Sequence, residues 1–204
     1  PLTPPPTPLL DRLPPYAELH CRSNFSFLTG ASHPEELVAR AAQLGYAAIA
    51  ITDECSVAGV VRAHEEAQRQ NEAGSPIQLL IGSVFELQGE GATPPCRLVL
   101  IARDREGYGD LCELITLARL RCAKGQYRLT ARDLDSGEST TRHLRGAPGC
   151  HALLIPRRED PPEVLLAQAR WLRATFTERA AIAVELLLYA DDTLLVERLD
   201  AVAA

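Results

Sequence analysis

The stretch from Tyr16 to Glu54 constrains this chain most. Two short pieces in it, Glu18-Leu19-His20-Cys21-Arg22-Ser23 and Ile49-Ala50-Ile51-Thr52-Asp53-Glu54, each run from strand-forming residues into polar ones. Between them Ser32 and Glu35 fit a capping box, and Leu37, Val38, Ala41 and Leu44 form a stripe at helical spacing. Gly45 falls where a helix ends. The pattern is strand–helix–strand. In open α/β sheets and βα barrels, sites are built at the rim where such strands end.

Alternation predicts Ala17, Leu19 and Cys21 on one face of the first strand, and Glu18, His20 and Arg22 on the other. Two readings fit: an edge strand with one wet face, or a polar face looking into a site. Ala48–Thr52 is a continuous small and branched run, as in a buried parallel strand. Ser56 is placed as the cap of a second helix that runs to about Ala73 and stops at Gly74-Ser75-Pro76. Strands follow over Gln78–Leu87 and Arg97–Ala102, with a connection short enough for antiparallel neighbours. A helix covers about Tyr108–Cys122, and Thr130 caps a short turn through Leu134. Ser136–Gly149 reads as an exposed loop and His151–Ile155 as a strand. A helix then starts at Pro161-Pro162 and ends near Thr175, a strand covers Ala181–Leu188, and a last helix starts at Asp191 or Asp192. The order βαβαββα…βαβα makes the fold class α/β.

The run Tyr16-Ala17-Glu18-Leu19-His20-Cys21-Arg22-Ser23-Asn24-Phe25-Ser26-Phe27-Leu28, followed by Gly30-Ala31-Ser32-His33-Pro34-Glu35-Glu36-Leu37, resembles the opening of a PHP domain. The likeness continues through Ala48 to Val61 and returns at Leu79-Leu80-Ile81-Gly82-Ser83 and at Leu98 to Tyr108. It points to the N-terminal PHP domain of bacterial C-family DNA polymerases (polymerase III α subunits), in the error-prone, damage-induced branch. The resemblance implies a distorted βα barrel, here truncated before closure. It implies a part in translesion DNA synthesis, replication and repair, within the cytoplasm.

An active PHP domain holds up to three metal ions on His, Asp, Glu and Cys, and the metals activate water against a phosphoester. Carried over position by position, the motif keeps His20 but has Arg22 where a second histidine is expected. Thr29 stands before Gly30 in place of an Asp. Thr52-Asp53-Glu54 replaces Thr-Asp-His, Gly82-Ser83-Val84 replaces Gly-x-Glu, and Arg97 replaces a His. The expected Cys aligns near Ile155-Pro156, and the closing Asp-x-His would lie beyond Ala204. A guanidinium cannot ligate a metal and repels one. The expectation is therefore a vestigial site of His20, Arg22, Asp53, Glu54 and Arg97, with no catalytic residues, no metal and no cofactor. Arg22 or Arg97 is expected to pair with Asp53, Glu54 or Glu18 in the place of metal. An enzymatic alternative, phosphoesterase or 3'-5' exonuclease, would use His20, Asp53, Glu54 and Glu86.

Composition narrows the rest. The seven prolines of residues 1–15 predict a flexible segment, and 16–204 is read as one PHP-like domain. The chain has no methionine, even at position 1, so it is read as a fragment or a processed form, and the PHP resemblance implies that the longer chain is a polymerase. No apolar run reaches membrane-helix length. A net charge of −6 argues against a general nucleic-acid binder. Residues 97–158 nevertheless carry 12 basic and 7 acidic side chains. Arg119, Arg121, Lys124, Arg128 and Arg132 form either a DNA- or partner-facing patch or a solvated helix end. The partners expected are the remainder of the polymerase chain, DNA through it, and other lesion-bypass proteins. The six cysteines have no C-x-x-C spacing. Cys55, at a predicted helix start where a thiol pKa can fall, is the candidate for reactivity.

Overall fold

The computed structural model describes residues 15–91, 93–135 and 139–203. The proline-rich segment falls almost wholly outside them. The elements are β1 (Ala17–Cys21), α1 (Pro34–Gln43), β2 (Ala48–Ile51), α2 (Val60–Glu72), β3 (Gln78–Gln88), β4 (Cys96–Ala102), α3 (Arg105–Leu120), β5 (Leu129–Thr130), α4 (Ala131–Asp135), β6 (Cys150–Ile155), α5 (Pro162–Phe176), β7 (Ala180–Ile182) and α6 (Asp192–Ala203). The sheet order is β1-β2-β3-β4-β6-β7, with β5 on β3. β1, β2 and β3 are parallel, β4 is antiparallel to β3 and β6, and β7 is parallel to β6. Thus β1, β2, β3, β6 and β7 all point to the same rim. Arg97 near the start of β4 pairs with Glu86 near the end of β3, so β4 brings its first residues to that rim too.

The sheet curls into a half-barrel, and its two faces have different cores. Outside, α1 and α2 bury Val38, Ala41, Ala63 and Ala67 against Ile49 and Ile51. Further along, Leu111, Leu114, Leu172 and Phe176 pack on Phe85, Leu98, Leu100 and Leu154. Inside, Ala50, Val84, Val99, Ile101 and Ile155 pack together, with Leu80, Leu153 and Ala183 against them. Burying apolar side chains on both faces is what makes β2 and β4 read as continuous apolar runs.

Several boundaries differ from the sequence expectation. Helix α1 is capped at His33, one residue late, because Pro34 suits the first turn and Glu36 reaches back to accept the His33 N–H at 2.8 Å. Ser56 caps only a local turn, through Ala58 N–H, and α2 begins after Gly59. Gly59 is required by contact: a Cβ there would lie 2.7 Å from Pro34 and 3.2 Å from the Asp53 carboxylate. Helix α3 starts earlier than expected, because the Asp104 carboxylate accepts Gly107 N–H at 2.9 Å. In the loop expected over 136–149, residues 139–144 form a 3-10 turn, and Leu144 and Ala147 are buried. Strand β7 is only three residues long. Beyond Ala183, whose N–H still reaches Leu154, the chain leaves the sheet. The alternation expected in β1 also fails. A register shift between Glu18 and Cys21 turns Cys21 toward α1 and α2, while Leu19 lines the inner cavity with Leu80, Ile101 and Leu153.

Candidate functional site

Four of the inner stripes lead at the rim to a charged residue. Glu86 lies two positions after Val84, Arg97 two before Val99, Arg157 two after Ile155, and Glu185 two after Ala183. Within β3 and β4 the period of two puts Glu86 and Arg97 on the inner side, while Arg157 and Glu185, just past the ends of β6 and β7, are placed at the rim by their contacts with Glu86 and His20. Glu86 accepts from Arg97 Nε at 2.5 Å and from Arg157 Nη2 at 2.6 Å. Burial alone would raise the Glu86 pKa, but the two guanidinium bonds outweigh it and hold the carboxyl below its usual range. Glu185 meets His20 Nδ1 at 2.6 Å. That hydrogen bond lowers the Glu185 pKa against the opposing effect of burial, with help from the Arg97 and Arg22 charges. The rim thus holds the ion-paired cluster Arg157–Glu86–Arg97 and the hydrogen bond between His20 and Glu185, drawn from five strands or their ends. Beside it a cavity of about 250 Å³ is lined by Arg97, Arg157, Arg158, Glu185 and Tyr189.

The other expected site residues are committed to holding loops. Asp53 is buried and accepts three bonds: Ser23 N–H at 2.8 Å, the Ser23 hydroxyl at 2.7 Å and the Ser26 hydroxyl at 2.7 Å. The loop after β1 is thereby fastened to the end of β2. Gly30 lets that loop close, since a Cβ there would sit 1.9 Å from Ser23 O. Glu54 accepts the Tyr127 hydroxyl at 3.1 Å, and the same hydroxyl accepts Glu86 N–H at 2.8 Å. Arg119 caps the carbonyls of Cys55 and Glu54. Glu18 accepts from the Tyr16 hydroxyl and from His20 N–H.

The expected pairing of Arg22 or Arg97 with Asp53, Glu54 or Glu18 is therefore corrected. Arg97 is on the rim and ion-paired, but with Glu86, because the antiparallel register sets those two opposite one another. Arg22 forms no ion pair among the described residues. Arg157, Glu185 and Glu86 complete a cluster from which Asp53 and Glu54 are absent.

These residues do not suit the metal cluster that the PHP resemblance implies. His20 Nε2 is buried without a hydrogen-bond partner among the described residues, so one imidazole nitrogen could serve as a ligand. Around it the chemistry is wrong. Val84 is core, Asp53 already accepts three hydrogen bonds, and Glu86 is held between two guanidinium groups. Among the described residues, no three His, Cys, Asp or Glu side chains converge as ligands.

The basic patch is partly neutralised. Arg121 pairs with Asp133 at 2.8 Å and Arg132 with Glu90 at 3.6 Å. Arg121, Arg128 and Arg132 line one shallow polar groove, while Arg119 is used at the Glu54–Cys55 turn. Cys55 does not have the environment of a reactive thiol. It is buried, and burial pushes its pKa up to about 11. Among the described residues, no helix is long and apolar enough to cross a membrane.

The PHP domain family model matches residues 18–186. An error-prone DNA polymerase of Ralstonia nicotianae is 56% identical over 188 residues, covering 92% of this chain and 17% of the relative. One from Bordetella parapertussis is 57% identical over 182 residues, covering 89% of this chain and 17% of the relative. The chain thus spans about a sixth of these relatives. A solved structure from Bifidobacterium adolescentis, named as a metal-dependent phosphoesterase, aligns with a TM-score of 0.54 at 15% identity, over 93% of this chain and 84% of that one. That likeness concerns the fold.

Proposed function

The chain belongs to the PHP domain family, and from that premise we propose that it is the PHP module of a longer error-prone DNA polymerase, metal-free and catalytically silent. Its work is mechanical: it braces the polymerase, which carries out synthesis past lesions in the cytoplasm and is the part that meets DNA. Residues 16–204 form this module. The support for the polymerase is the identity to error-prone polymerases over nine-tenths of the chain.

The support for silence is one observation: Glu86, the carboxylate at the centre of the rim, is bonded by Arg97 and Arg157. Two fixed cations on one carboxylate leave it neither a free ligand nor a free base. The same pairing accounts for the stability of the rim, because like charges left uncompensated there would repel.

The test is elemental analysis of the purified full-length polymerase after dialysis against zinc and manganese, with primer extension as the check on the parent activity. The expected result is extension of a primer without stoichiometric metal at the PHP module. Bound metal that is lost in a His20→Ala variant would overturn the silent reading. Failure to extend any primer would overturn the polymerase reading.

A further inference from the structure

Residues 184–203 are held to the rest of the molecule by side chains alone. Ala183 N–H still donates to Leu154 O at 2.9 Å. Beyond it, no backbone bond among the described residues joins this segment to the sheet or to another helix. Of its described side chains only Leu195 and Leu199 are buried, and they pack on Leu165 of α5. This small core stands apart from those that cover the two faces of the sheet.

Three side chains supply the polar attachments. Arg158, just past β6, donates to Asp191 Oδ1 at 2.9 Å, to the Glu185 carbonyl at 3.2 Å and to the Asp192 carboxylate, and its guanidinium lies 4.8 Å from the centre of the Tyr189 ring. Arg198 on α6 reaches back to the carbonyls of Arg158 and Asp160. His20 meets Glu185 at the root of the segment. The segment also forms one side of the rim cavity. Arg97 and Arg157 line that cavity from the sheet, and Tyr189, Leu195 and Leu199 line it from 184–203.

We propose that residues 184–203 are an electrostatically latched strap over the rim cavity, which opens as one unit while the sheet stays folded, and that Arg158 with Asp191 and Asp192 is the latch. Local opening costs least where a segment buries few apolar side chains and shares no backbone ladder with its neighbours. Residues 184–203 meet both conditions. The latch is partly wet: the Arg158 side chain is 24% exposed and that of Asp191 57%. Salt therefore weakens it, and leaves the apolar cores of the sheet without a comparable loss. Opening uncovers the cavity wall at Arg97 and Arg157. It parts Glu185 from His20, the contact that links the two edges of the sheet. It also carries Glu185, Asp191 and Asp192 away from Arg97, Arg157 and Arg158, so the uncovered cavity is more basic than the covered one.

Hydrogen exchange of the full-length protein, read by peptide mass spectrometry at one fixed pH, tests this. Strand β4, whose Leu98 and Leu100 are fully buried, is the internal reference. Amides of α6 are expected to exchange at least about tenfold faster than those of β4. Raising salt from about 0.05 M to about 1 M should speed α6 at least about threefold and leave β4 unchanged. Two variants break the latch from opposite sides. Arg158→Ala removes the cation. The Asp191→Asn, Asp192→Asn double variant removes the anions, and Asn caps a helix as well as Asp does, so the start of α6 survives. Each should speed α6 at low salt and abolish most of its salt response, with β4 again unchanged. Exchange of α6 as slow as that of β4 would overturn the proposal, because the segment would then be fixed in place. Acceleration shared equally by β4 would overturn it too, since the strap and the sheet would open together. A salt response that persists in both variants would show that Arg158, Asp191 and Asp192 are not the latch.

Discussion

His20 and Glu185, 165 positions apart, meet at 2.6 Å and tie the first strand to the segment beyond the last one. Each of those strands has a neighbour on one side only, so this contact links the two edges of the sheet. The structural role of such a link can be read through its charge. His20 holds the Glu185 carboxyl below its usual range, and Arg97 with Arg157 outweigh burial to do the same to Glu86.

A depressed carboxylate stabilises the fold above its unfolded pKa, about 4.3, and loses that contribution as pH falls through its folded value. A Glu86→Gln, Glu185→Gln double variant should therefore be less stable than the parent chain at pH 7, and the gap should close below about pH 4. Urea denaturation at pH 7, 5 and 3 measures this. A gap that stays constant down to pH 3 would show that the amides disturb packing rather than charge.

Asp53 carries the largest single loss. Replacing it with Ala strands one backbone N–H and two hydroxyls in a site that is buried throughout. The expected cost is about 3–5 kcal/mol. Asp53→Asn keeps the shape and one acceptor oxygen, so it should cost less, about 1–3 kcal/mol. Because the role is to hold the loop after β1, neither loss should change when chelator or zinc is added. A stability difference that follows zinc concentration would return Asp53 to the ligand set.

The cysteines separate by burial. Cys55, Cys96 and Cys150 are buried, and desolvation pushes their thiols up to about 11, 12 and 12. A thiol probe at pH 8 should modify Cys112 and Cys122, which are partly exposed, long before it reaches these three. Peptide mapping after brief labelling checks it. Early modification of Cys55 would mean that the turn after β2 opens readily.

Much of this molecule is legible in the chain, and the failures have causes. Ile49 and Ile51 alternate with Ala48 and Ala50, so β2 reads correctly as a strand buried on both faces. The rim charges were readable only in part. Glu86 keeps the period of two with Val84 inside β3, but Arg157 and Glu185 lie past the ends of β6 and β7, where alternation no longer holds. Reading from the PHP motif drew attention to the positions that differ, Arg22 and Arg97, and away from Arg157 and Glu185, which no motif position marks. The partner of Arg97 depended on register, which sequence leaves open until the strands are paired. The bulge in β1 was likewise invisible: nothing in Glu18-Leu19-His20-Cys21 marks the place where alternation breaks.

Arg97 offers the sharpest test of the rim. Its guanidinium shares Glu86 with Arg157, and its charge also lowers the Glu185 carboxyl. Removing Arg97 takes one of two cations from Glu86 and leaves the other at 2.6 Å. The charge remains compensated, so Arg97→Ala should cost only about 1 kcal/mol. Removing Arg97 and Arg157 together leaves Glu86 half-buried and unpaired, and the loss should exceed the sum of the single changes. A double-mutant cycle by urea denaturation measures that excess, and strict additivity would mean that the two arginines act independently. The same variants bear on metal. Arg97→His or Arg22→His alone should not create zinc binding, since Val84 stays in the core, Asp53 stays committed to Ser23 and Ser26 and Arg157 still occupies Glu86. Stoichiometric zinc in either single variant would mean that one arginine, rather than the whole rim, keeps the metal out.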